Sequence, residues 1–305
     1  MKFKHTSVML EEAIENLITD TRGIYVDCTL GGGGHAAAIV SKLDGGLLVG
    51  IDRDEDAINA ATERLSGFNV SLVRSNFNRL DEILDDLNIE RIDGAIFDLG
   101  VSSHQLDCAP RGFSYMHDAP LDMRMDTRQS QTAFDVVNHY DESRLVEIFS
   151  RYGEEKFSKR IARSIVGFRR AKTIETTGEL VEIIKRSVPP MKNGGHPAKR
   201  VFQAIRIEVN DELGVISCAI KSAVNRLKSG GRIVVITFHS LEDRIVKSTF
   251  KELATDCICP KNIPICVCGH KATIKLLGRA ITPSIDEINR NPRAKSARLR
   301  AAQKL

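Results

Sequence analysis

The sequence has no apolar run that approaches the roughly 20 residues needed for a membrane-spanning helix. Low-complexity tracts and internal repeats are absent as well, which leaves an ordinary globular architecture. The N-terminal segment reads Met-Lys-Phe-Lys-His and reaches Glu11 and Glu12 before any long apolar stretch, so no signal peptide is expected. We therefore expect a cytoplasmic protein without a membrane partner.

Charge of one sign is not in large excess either. The 305 residues carry a net charge of +4, which is too small to indicate a nucleic-acid partner by itself. Hydrophobic residues make up 42% and charged residues 28% of the chain, as in soluble globular proteins. A chain of this length can form one large domain or two ordinary ones around a sizeable core.

Short β-rich segments alternate with helical patterns in the first hundred residues, which predicts a parallel sheet covered by helices. The stretch 105–210 has helical and loop patterns without a strong strand, and the alternation then resumes. The predicted fold class is α/β, a doubly wound sheet with a mainly helical insertion after its fourth strand. We place one discontinuous domain at 1–104 and 213–305 and the insertion at 105–212. Strands are expected at residues 23–28, 47–52, 70–73, 92–98 and 232–238.

Four consecutive glycines, Gly31–Gly34, connect the first predicted strand to a helix. Without Cβ atoms the backbone can approach a ligand closely, and the helix N-terminus offers free N–H groups and a positive dipole end. Asp52 ends the next strand, where a carboxylate can bind ribose hydroxyls. This pattern predicts an adenosine-containing cofactor. Because Gly31-x-Gly33-x-x-Ala36 also fits a dinucleotide fingerprint, a nicotinamide cofactor stays open.

The fourth predicted strand ends in the polar segment Asp98–Ser103, beside the place expected for the reactive end of the cofactor. Polar residues at this place hold the target nitrogen in amino-directed methyltransferases. The amino group of a cytosine is a poor nucleophile because its lone pair is delocalised into the ring. Acceptors that bind its N–H groups favour a pyramidal, reactive nitrogen. Asp98 is the candidate acceptor, although it could instead chiefly hold the cofactor.

Two familiar methyltransferase motifs are missing. The chain has no Pro-Cys dipeptide, which argues against the covalent cysteine nucleophile of C5-cytosine methyltransferases. The segment Val188–Met191 contains two prolines but lacks the polar first residue and the aromatic last residue of the Pro-Pro-aromatic amino-methyltransferase motif. We therefore interpret it as a helix terminator. Local motifs alone would leave amino methylation weakly supported.

Several further segments form an ordered set with the glycine loop and the Asp98 motif. Together they resemble, over nearly the whole chain, the bacterial 16S rRNA cytosine-N4 methyltransferases, the small-subunit rRNA methyltransferase H family. The glycine loop is weak evidence alone, but the ordered set is highly specific. The matching segments are His5–Leu10, Asp27–His35, Asp98–Asp107, Arg111–Ser114, Leu121–Met125, His196–Asn210, Phe238–Arg244 and Asn291–Arg300.

The resemblance implies a Rossmann-like class I methyltransferase domain with S-adenosylmethionine as methyl donor. It implies as target the cytosine at position 1402 of 16S ribosomal RNA in the small ribosomal subunit. Phe77 follows the third strand, where a ring can pack on adenine, although such a phenylalanine is often part of a core. For Gln105 the residue type predicts only a polar group near the site. The implied cofactor contacts are Gly33, Gly34, His35, Asp52, Phe77, Asp98 and Gln105.

Lys199, Arg200 and Arg206 follow a Gly-Gly-His-Pro loop in an amphipathic helical pattern, and we predict that they contact RNA. Arg206 could equally pair with Glu208 or another carboxylate. The last sixteen residues carry six basic side chains and no acidic ones. Such clusters suit a phosphate backbone, but a solvated charged surface explains any single member equally well. A further basic set on a predicted helix comprises Lys156, Lys159, Arg160, Arg163, Arg169 and Arg170.

Four of the seven cysteines lie close together as Cys257-x-Cys259 and Cys266-x-Cys268. Their spacing differs from that of a common zinc finger. They could bind zinc, pair when oxidised or remain free thiols, so we assign no metal site from the sequence.

Two other functions stay open. A nicotinamide oxidoreductase would bind a dinucleotide tightly. A ribosome-assembly factor would bind RNA without transferring a methyl group, and the intact motif at Asp98 argues against it. The sequence leaves the oligomeric state open and is compatible with a homodimer.

Overall fold

The computed structural model describes residues 7–189, 195–257, 259–260, 265 and 267–305. These residues form two compact units, one within Met1–Gly100 and Leu213–Leu305 and one within Val101–Glu212. Parts of four sequence features lie outside the described residues: His5 and Thr6 of the N-terminal motif, Pro190 and Met191 of the predicted helix terminator, Gly194 of the Gly-Gly-His-Pro loop, and Cys266 of the cysteine cluster.

A mixed sheet forms the centre of the first unit, with strand order β3-β2-β1-β4-β5-β7-β6. Strands β1 to β5 run parallel, whereas β7 is antiparallel to both β5 and β6. The α/β class expected from the sequence is confirmed, as a Rossmann-like fold with a helical insertion. The strands are β1 (Ile24–Asp27), β2 (Leu47–Asp52), β3 (Val70–Arg74), β4 (Ile92–Asp98), β5 (Leu227–Thr237), β6 (Ile274–Leu276) and β7 (Arg298–Lys304).

Helices cover the sheet and build the second unit. Within the described ranges, no helix is both long and apolar enough to cross a membrane. The helices are α1 (Leu10–Leu17), α2 (Gly34–Val40), α3 (Glu55–Arg64), α4 (Leu80–Asp86), α5 (Ser103–Asp107), α6 (Ala133–His139), α7 (Glu142–Arg151), α8 (Ser158–Arg169), α9 (Thr177–Ser187), α10 (Lys199–Asn210), α11 (Ile216–Arg226), α12 (Ser240–Leu253) and α13 (Ile285–Arg290).

The central strands are buried on both faces of the sheet, because successive side chains point to opposite sides and helices cover each side. On one face, Val26, Val49 and Phe97 pack with α4, α11 and α12. On the other face, Tyr25 and Ile96 pack with α1, α2 and α3. Burial on both faces explains why these strands are nearly continuous apolar runs in the sequence.

The second unit has its own apolar core, formed by helices α6 to α10. Side-chain caps set where several of these helices begin. Thr132 and Thr176 each accept a hydrogen bond from the backbone N–H three residues later, and the carboxylate of the acidic residue at that position accepts the N–H of the threonine. Asp141 caps α7 in the same manner with its carboxylate. Each cap satisfies a backbone N–H group that has no partner inside the helix.

The antiparallel strands β6 and β7 were not expected from the sequence. In β7 the buried Leu299 lies between exposed Arg298 and half-buried Arg300, and the two alanines that follow are both buried and are weak strand formers. Arg300 Nε donates to Asp243 Oδ1 at 2.7 Å, and Arg298 Nη1 lies 3.4 Å from the same carboxylate. Two residues of the basic C-terminal cluster therefore belong to the sheet and form ion pairs within the unit.

Candidate cofactor-binding and active site

The carboxyl ends of β1 and β4 mark the point where the strand order reverses. Strand β1 pairs with β2 on one side and with β4 on the other. In doubly wound sheets, ligands bind outside the carboxyl ends of the strands at this switch point. Asp27 ends β1 and Asp98 ends β4, so both carboxyl groups lie where a ligand is expected.

The glycine loop packs tightly against its own unit. Gly31 and Gly33 have φ values of +49° and +73°, in the left-handed region that favours glycine. A Cβ atom on Gly33 would lie 3.3 Å from Ala61 Cβ, and one on Gly34 would lie 1.9 Å from Ser7 Oγ. A side chain at Gly33 is therefore disfavoured by the left-handed backbone, and a side chain at Gly34 would displace the hydroxyl of Ser7.

Asp52 reaches from the end of β2 to the glycine loop. Its Oδ2 accepts the N–H of Gly31 at 2.8 Å, and its Oδ1 accepts the N–H of Asp54 at 2.9 Å. Burial raises the pKa of Asp52, while these two N–H groups act in the opposite direction. A carboxylate has lone pairs for further donors, so Asp52 can still receive the hydroxyl groups of a ribose.

Asp27 is a buried acid that the sequence analysis did not single out. Its side chain is 1% exposed, and its Oδ1 accepts the N–H of Thr29 at 3.1 Å. The other oxygen, Oδ2, has no hydrogen-bond partner in the part of the chain that is described. Burial raises the pKa of Asp27 to about 7, and the negative charge of Asp52 adds to the shift. The position of Asp27 at the end of the first predicted strand, shortly before the glycine loop, could have identified it from the sequence.

Asp98 has one carboxyl oxygen directed at a histidine and one without a partner. Oδ2 lies 3.5 Å from Nδ1 of His35. Oδ1 is buried and has no hydrogen-bond partner among the described residues. Burial raises the pKa of Asp98 well above its usual range, and the negative charges of Asp27 and Glu242 raise it further.

His35 lies in the first turn of α2 and is 5% exposed. Its Nε2 is 3.0 Å from the carbonyl oxygen of Val8. A carbonyl can only accept, so Nε2 carries a proton and a neutral His35 presents a lone pair at Nδ1. A proton shared between Nδ1 and Asp98 Oδ2 then stabilises the contact between the two side chains. This proton can reside on the carboxyl group or on the imidazole.

Glu242, at the start of α12, is a third acid near this point. It is 1% exposed, and its Oε2 accepts the N–H groups of Phe238 and His239 at 2.7 and 3.2 Å. A Cβ atom on Gly100, just after β4, would lie 3.7 Å from Glu242 Oε1. The segment Phe238–Arg244 matches the family in sequence, but the position of Glu242 beside the end of β4 is evident only in the folded chain.

Phe77 and Gln105, both expected at the cofactor, also have partners within their own units. The Phe77 ring is half-buried and meets the ring of Phe97 edge-on, with centroids 5.6 Å apart. Gln105 belongs to the second unit and is 5% exposed. Its Oε1 accepts the N–H of Ser102 at 3.0 Å, which completes a capping box at the start of α5. This cap was not predicted from the sequence.

The three residues predicted to contact RNA differ in their surroundings. Lys199 and Arg200 are exposed in the first turn of α10, where Arg200 Nη1 donates to the carbonyl of Glu154 at 3.0 Å. Arg206 is 14% exposed, and its Nε and Nη2 donate to the two carboxylate oxygens of Glu212 at 2.8 and 2.9 Å. The charge of Arg206 is thus balanced inside the unit.

The carboxylate beside Arg206 is not Glu208, which the sequence had suggested as one alternative. Glu208 Oε1 accepts the hydroxyl of Tyr140 at 2.9 Å and Nη2 of Arg144 at 2.7 Å. Residues three or four apart share a helix face, but residue 208 is only two positions after 206. Glu212 reaches Arg206 because the chain turns back after α10.

The predicted basic helix corresponds to α8, which begins after Lys156 and ends before Arg170. Arg169 is half-buried, and its guanidinium donates to the carbonyl oxygens of Val137 and Tyr140. It therefore holds α8 to the α6 region. The other members of the set are exposed.

The chain is similar over its full length to curated proteins. It is 56% identical over 311 residues to Ribosomal RNA small subunit methyltransferase H of Clostridioides difficile (strain 630), with 100% of both chains covered. It is 56% identical over 309 residues to the protein of the same name from Clostridium botulinum (strain Loch Maree / Type A3), also with 100% of both chains covered.

Among solved structures, an rRNA methylase from Streptococcus thermophilus is similar with a TM-score of 0.43 and 14% identity, over 97% of this chain and 93% of that chain. The sequence profile of the MraW methylase family matches residues 2–305, and the chain belongs to that family.

Proposed function

We propose that this protein transfers a methyl group from S-adenosylmethionine to the N4 amino group of a cytosine in 16S ribosomal RNA, with position 1402 as the target. Full-length identity to two proteins named Ribosomal RNA small subunit methyltransferase H supports the substrate. The structural observation that carries the proposal is a pair of buried carboxyl oxygens without hydrogen-bond partners among the described residues. These are Asp27 Oδ2 and Asp98 Oδ1, at the switch point of the sheet.

The charge at the switch point fits a sulfonium cofactor better than a dinucleotide. Carboxylates already accept backbone N–H groups of this loop that a pyrophosphate would need: Asp52 binds Gly31, and Asp27 binds Thr29. Buried acids also repel phosphate but attract a cation. S-adenosylmethionine is cationic at its sulfonium and its amino group, so the acid cluster favours it over a nicotinamide cofactor.

The chain offers suitable groups for each part of S-adenosylmethionine. Asp52 would receive the ribose hydroxyls, the half-buried ring of Phe77 would pack on adenine, and Gly33 and Gly34 would let the cofactor approach the backbone. A contact between Gln105 and the cofactor is supported only by the family motif in which Gln105 lies. When bound, S-adenosylmethionine supplies an electrophilic methyl group on a cationic sulfur.

Asp98 and His35 would hold the amino group that is methylated. His35 occupies one oxygen of Asp98 and so fixes the orientation of the carboxyl group. The free oxygen, Oδ1, then accepts an N–H of the cytosine amine, which favours a pyramidal nitrogen with its lone pair available. Methylation releases one proton from the amine, and the carboxylate of Asp98 can accept it at Oδ1 when the proton shared with His35 lies on the imidazole.

The second unit is proposed to recognise the RNA, within or released from the small ribosomal subunit. Exposed Lys199 and Arg200 at the start of α10, together with the exposed residues of α8, offer cationic groups for phosphates. Arg206 is the least suited of the predicted contacts because Glu212 already balances its charge.

The direct test is transfer of radiolabelled methyl groups from S-adenosylmethionine to small ribosomal subunits that lack the modification, followed by nucleoside mass spectrometry. We expect a peak at N4-methylcytidine. Failure to methylate either subunits or free 16S rRNA, with the cofactor demonstrably bound, would contradict the proposal and favour an assembly factor without catalysis.

The role of Asp98 is tested by Asp98→Ala and Asp98→Asn. Both remove the carboxylate acceptor, and we expect kcat to fall at least about 100-fold, the lower range for a positioned acid or base. The matched control is Asp44→Asn, which removes an exposed carboxylate after α2 and should leave kcat unchanged. Full activity in a folded Asp98→Ala protein would remove Asp98 from the mechanism.

A further inference from the structure

The connection between α12 and β6 belongs to the first unit and contains none of the residues of the candidate active site. Its two ends are joined by two hydrogen bonds. The N–H of Thr273 donates to the carbonyl of Leu253 at 2.8 Å, and the N–H of Ala272 donates to Asp256 Oδ1 at 3.2 Å. The described residues of the connection contribute no member to the two apolar cores of this unit, apart from the partly buried Ala254 at its base.

Three cysteine thiols nevertheless meet within this segment. The Sγ atoms of Cys257, Cys259 and Cys268 all lie within 4.8 Å of one another. Cys257 is exposed and the other two are only half-buried, so hydrophobic burial does not explain why they cluster. The N–H of Val267 lies 3.4 Å from Cys259 Sγ, as in sites where backbone donors stabilise a thiolate.

The distances between the sulfur atoms fit a shared metal ion. Zinc binds thiolates tetrahedrally with Zn–S bonds of about 2.3 Å, which places neighbouring sulfurs about 3.8 Å apart. Cys257 Sγ and Cys268 Sγ are 3.8 Å apart. A disulfide would need about 2.05 Å and would use only two of the three thiols. Holding three side chains together in an exposed segment also costs conformational entropy, which a metal ion offsets.

We propose that Cys257, Cys259 and Cys268 are ligands of a structural zinc ion that closes the segment between α12 and β6. The three thiolates occupy three of the four tetrahedral positions, and the divalent charge offsets the repulsion between them. The proposal rests on these three thiols alone and is independent of the methyl-transfer proposal. Among divalent metals, a tetrahedral thiolate set favours zinc.

The test uses the full chain, purified under reducing conditions from cells grown with zinc. Elemental analysis should find one zinc ion per chain, and competition with a chromogenic chelator should report its affinity. Cys257→Ser and Cys268→Ser should each weaken zinc binding by more than about 100-fold, beyond the 10–100-fold typical of changes next to the ligands. Cys218→Ser removes an exposed cysteine of α11 and should retain the full zinc content.

Cobalt provides an independent readout in the same proteins. Replacement of zinc by Co²⁺ should produce sulfur-to-cobalt charge-transfer absorption and the intense visible bands of a tetrahedral site, both lost in Cys268→Ser. Far-UV circular dichroism verifies that the variants are folded. A metal-free reduced protein whose three thiols all react freely would overturn the proposal. Equal zinc content in wild type and the Cys257→Ser/Cys268→Ser double variant, or an iron–sulfur spectrum, would overturn it too.

Discussion

Asp27→Asn is expected to stabilise the cofactor-free protein, and to do so more strongly as the pH rises. Asp27 is fully buried at the end of β1, and its Oδ2 lacks a partner within the described ranges. Asparagine has nearly the same shape, and its oxygen can keep the hydrogen bond from the N–H of Thr29. The substitution therefore removes a buried negative charge while leaving the packing intact.

The magnitude follows from the pKa of Asp27, which burial raises from an ordinary 3.8 to about 7. A raised carboxyl pKa means that the folded state binds the proton more tightly than the unfolded state, so stability falls as the pH rises from 3.8 through 7. With one pKa unit equal to about 1.4 kcal/mol, the penalty is about 2 kcal/mol at pH 5 and about 4 kcal/mol at pH 8. Asp27→Asn should recover these amounts.

Urea denaturation at pH 5, 6, 7 and 8 measures the effect. Because the chain has no tryptophan, far-UV circular dichroism is the suitable signal. The difference in the free energy of unfolding between Asp27→Asn and wild type should grow by about 2 kcal/mol from pH 5 to pH 8. Asp44→Asn, at an exposed position, should show no such trend. A difference that stays constant across this range would refute the assignment of a raised pKa to Asp27.

Three further outcomes follow from the same contacts. Ionised Asp27 should attract the sulfonium cofactor, and burial raises the pKa of Asp27 to about 7. Calorimetry should therefore find that S-adenosylmethionine binds about tenfold more weakly at pH 6 than at pH 8. Binding that does not depend on pH would contradict this. Arg206→Met should lower the free energy of unfolding by about 3–5 kcal/mol because it leaves Glu212 buried without its partner, and Arg206→Met/Glu212→Leu should recover most of the loss. Unchanged stability with weaker binding of rRNA would instead assign Arg206 to the RNA. Lys199→Ala should weaken filter binding of 16S rRNA and lower its salt dependence by about one unit of slope, whereas Lys42→Ala, at an exposed position of the first unit, should not.

Most of the parallel strands could be predicted from the sequence because they contain apolar segments bounded by turn residues, although β5 begins at Leu227, before the predicted apolar segment at 232–238. Strands β2 and β4 lie at residues 47–52 and 92–98, as expected from their patterns. The C-terminal pair could not be predicted in this way. The seven residues of β7 include three charged residues and two alanines, and pairing with β5 rather than local preference makes them a strand.

Residues of the candidate site could be predicted from the sequence only where a short segment is enough to identify them. Asp52 and Asp98 could be singled out because each ends a predicted strand. The pairing of Asp98 with His35 and the approach of Glu242 depend on contacts between segments far apart in the chain. Arg206 shows the same limit, since the choice between Glu208 and Glu212 as its partner depends on the turn after α10.

The position of the insertion has a consequence for synthesis of the protein. Strand β4 pairs with β1 on one edge and with β5 on the other, yet the whole second unit is translated between β4 and β5. At the usual 5–20 residues per second, the nascent chain carries β4 with one open edge for on the order of ten seconds. An unpaired apolar edge readily joins strands of other chains. Early folding of the second unit, or a chaperone bound to that edge, would therefore govern how much of the newly made enzyme escapes aggregation.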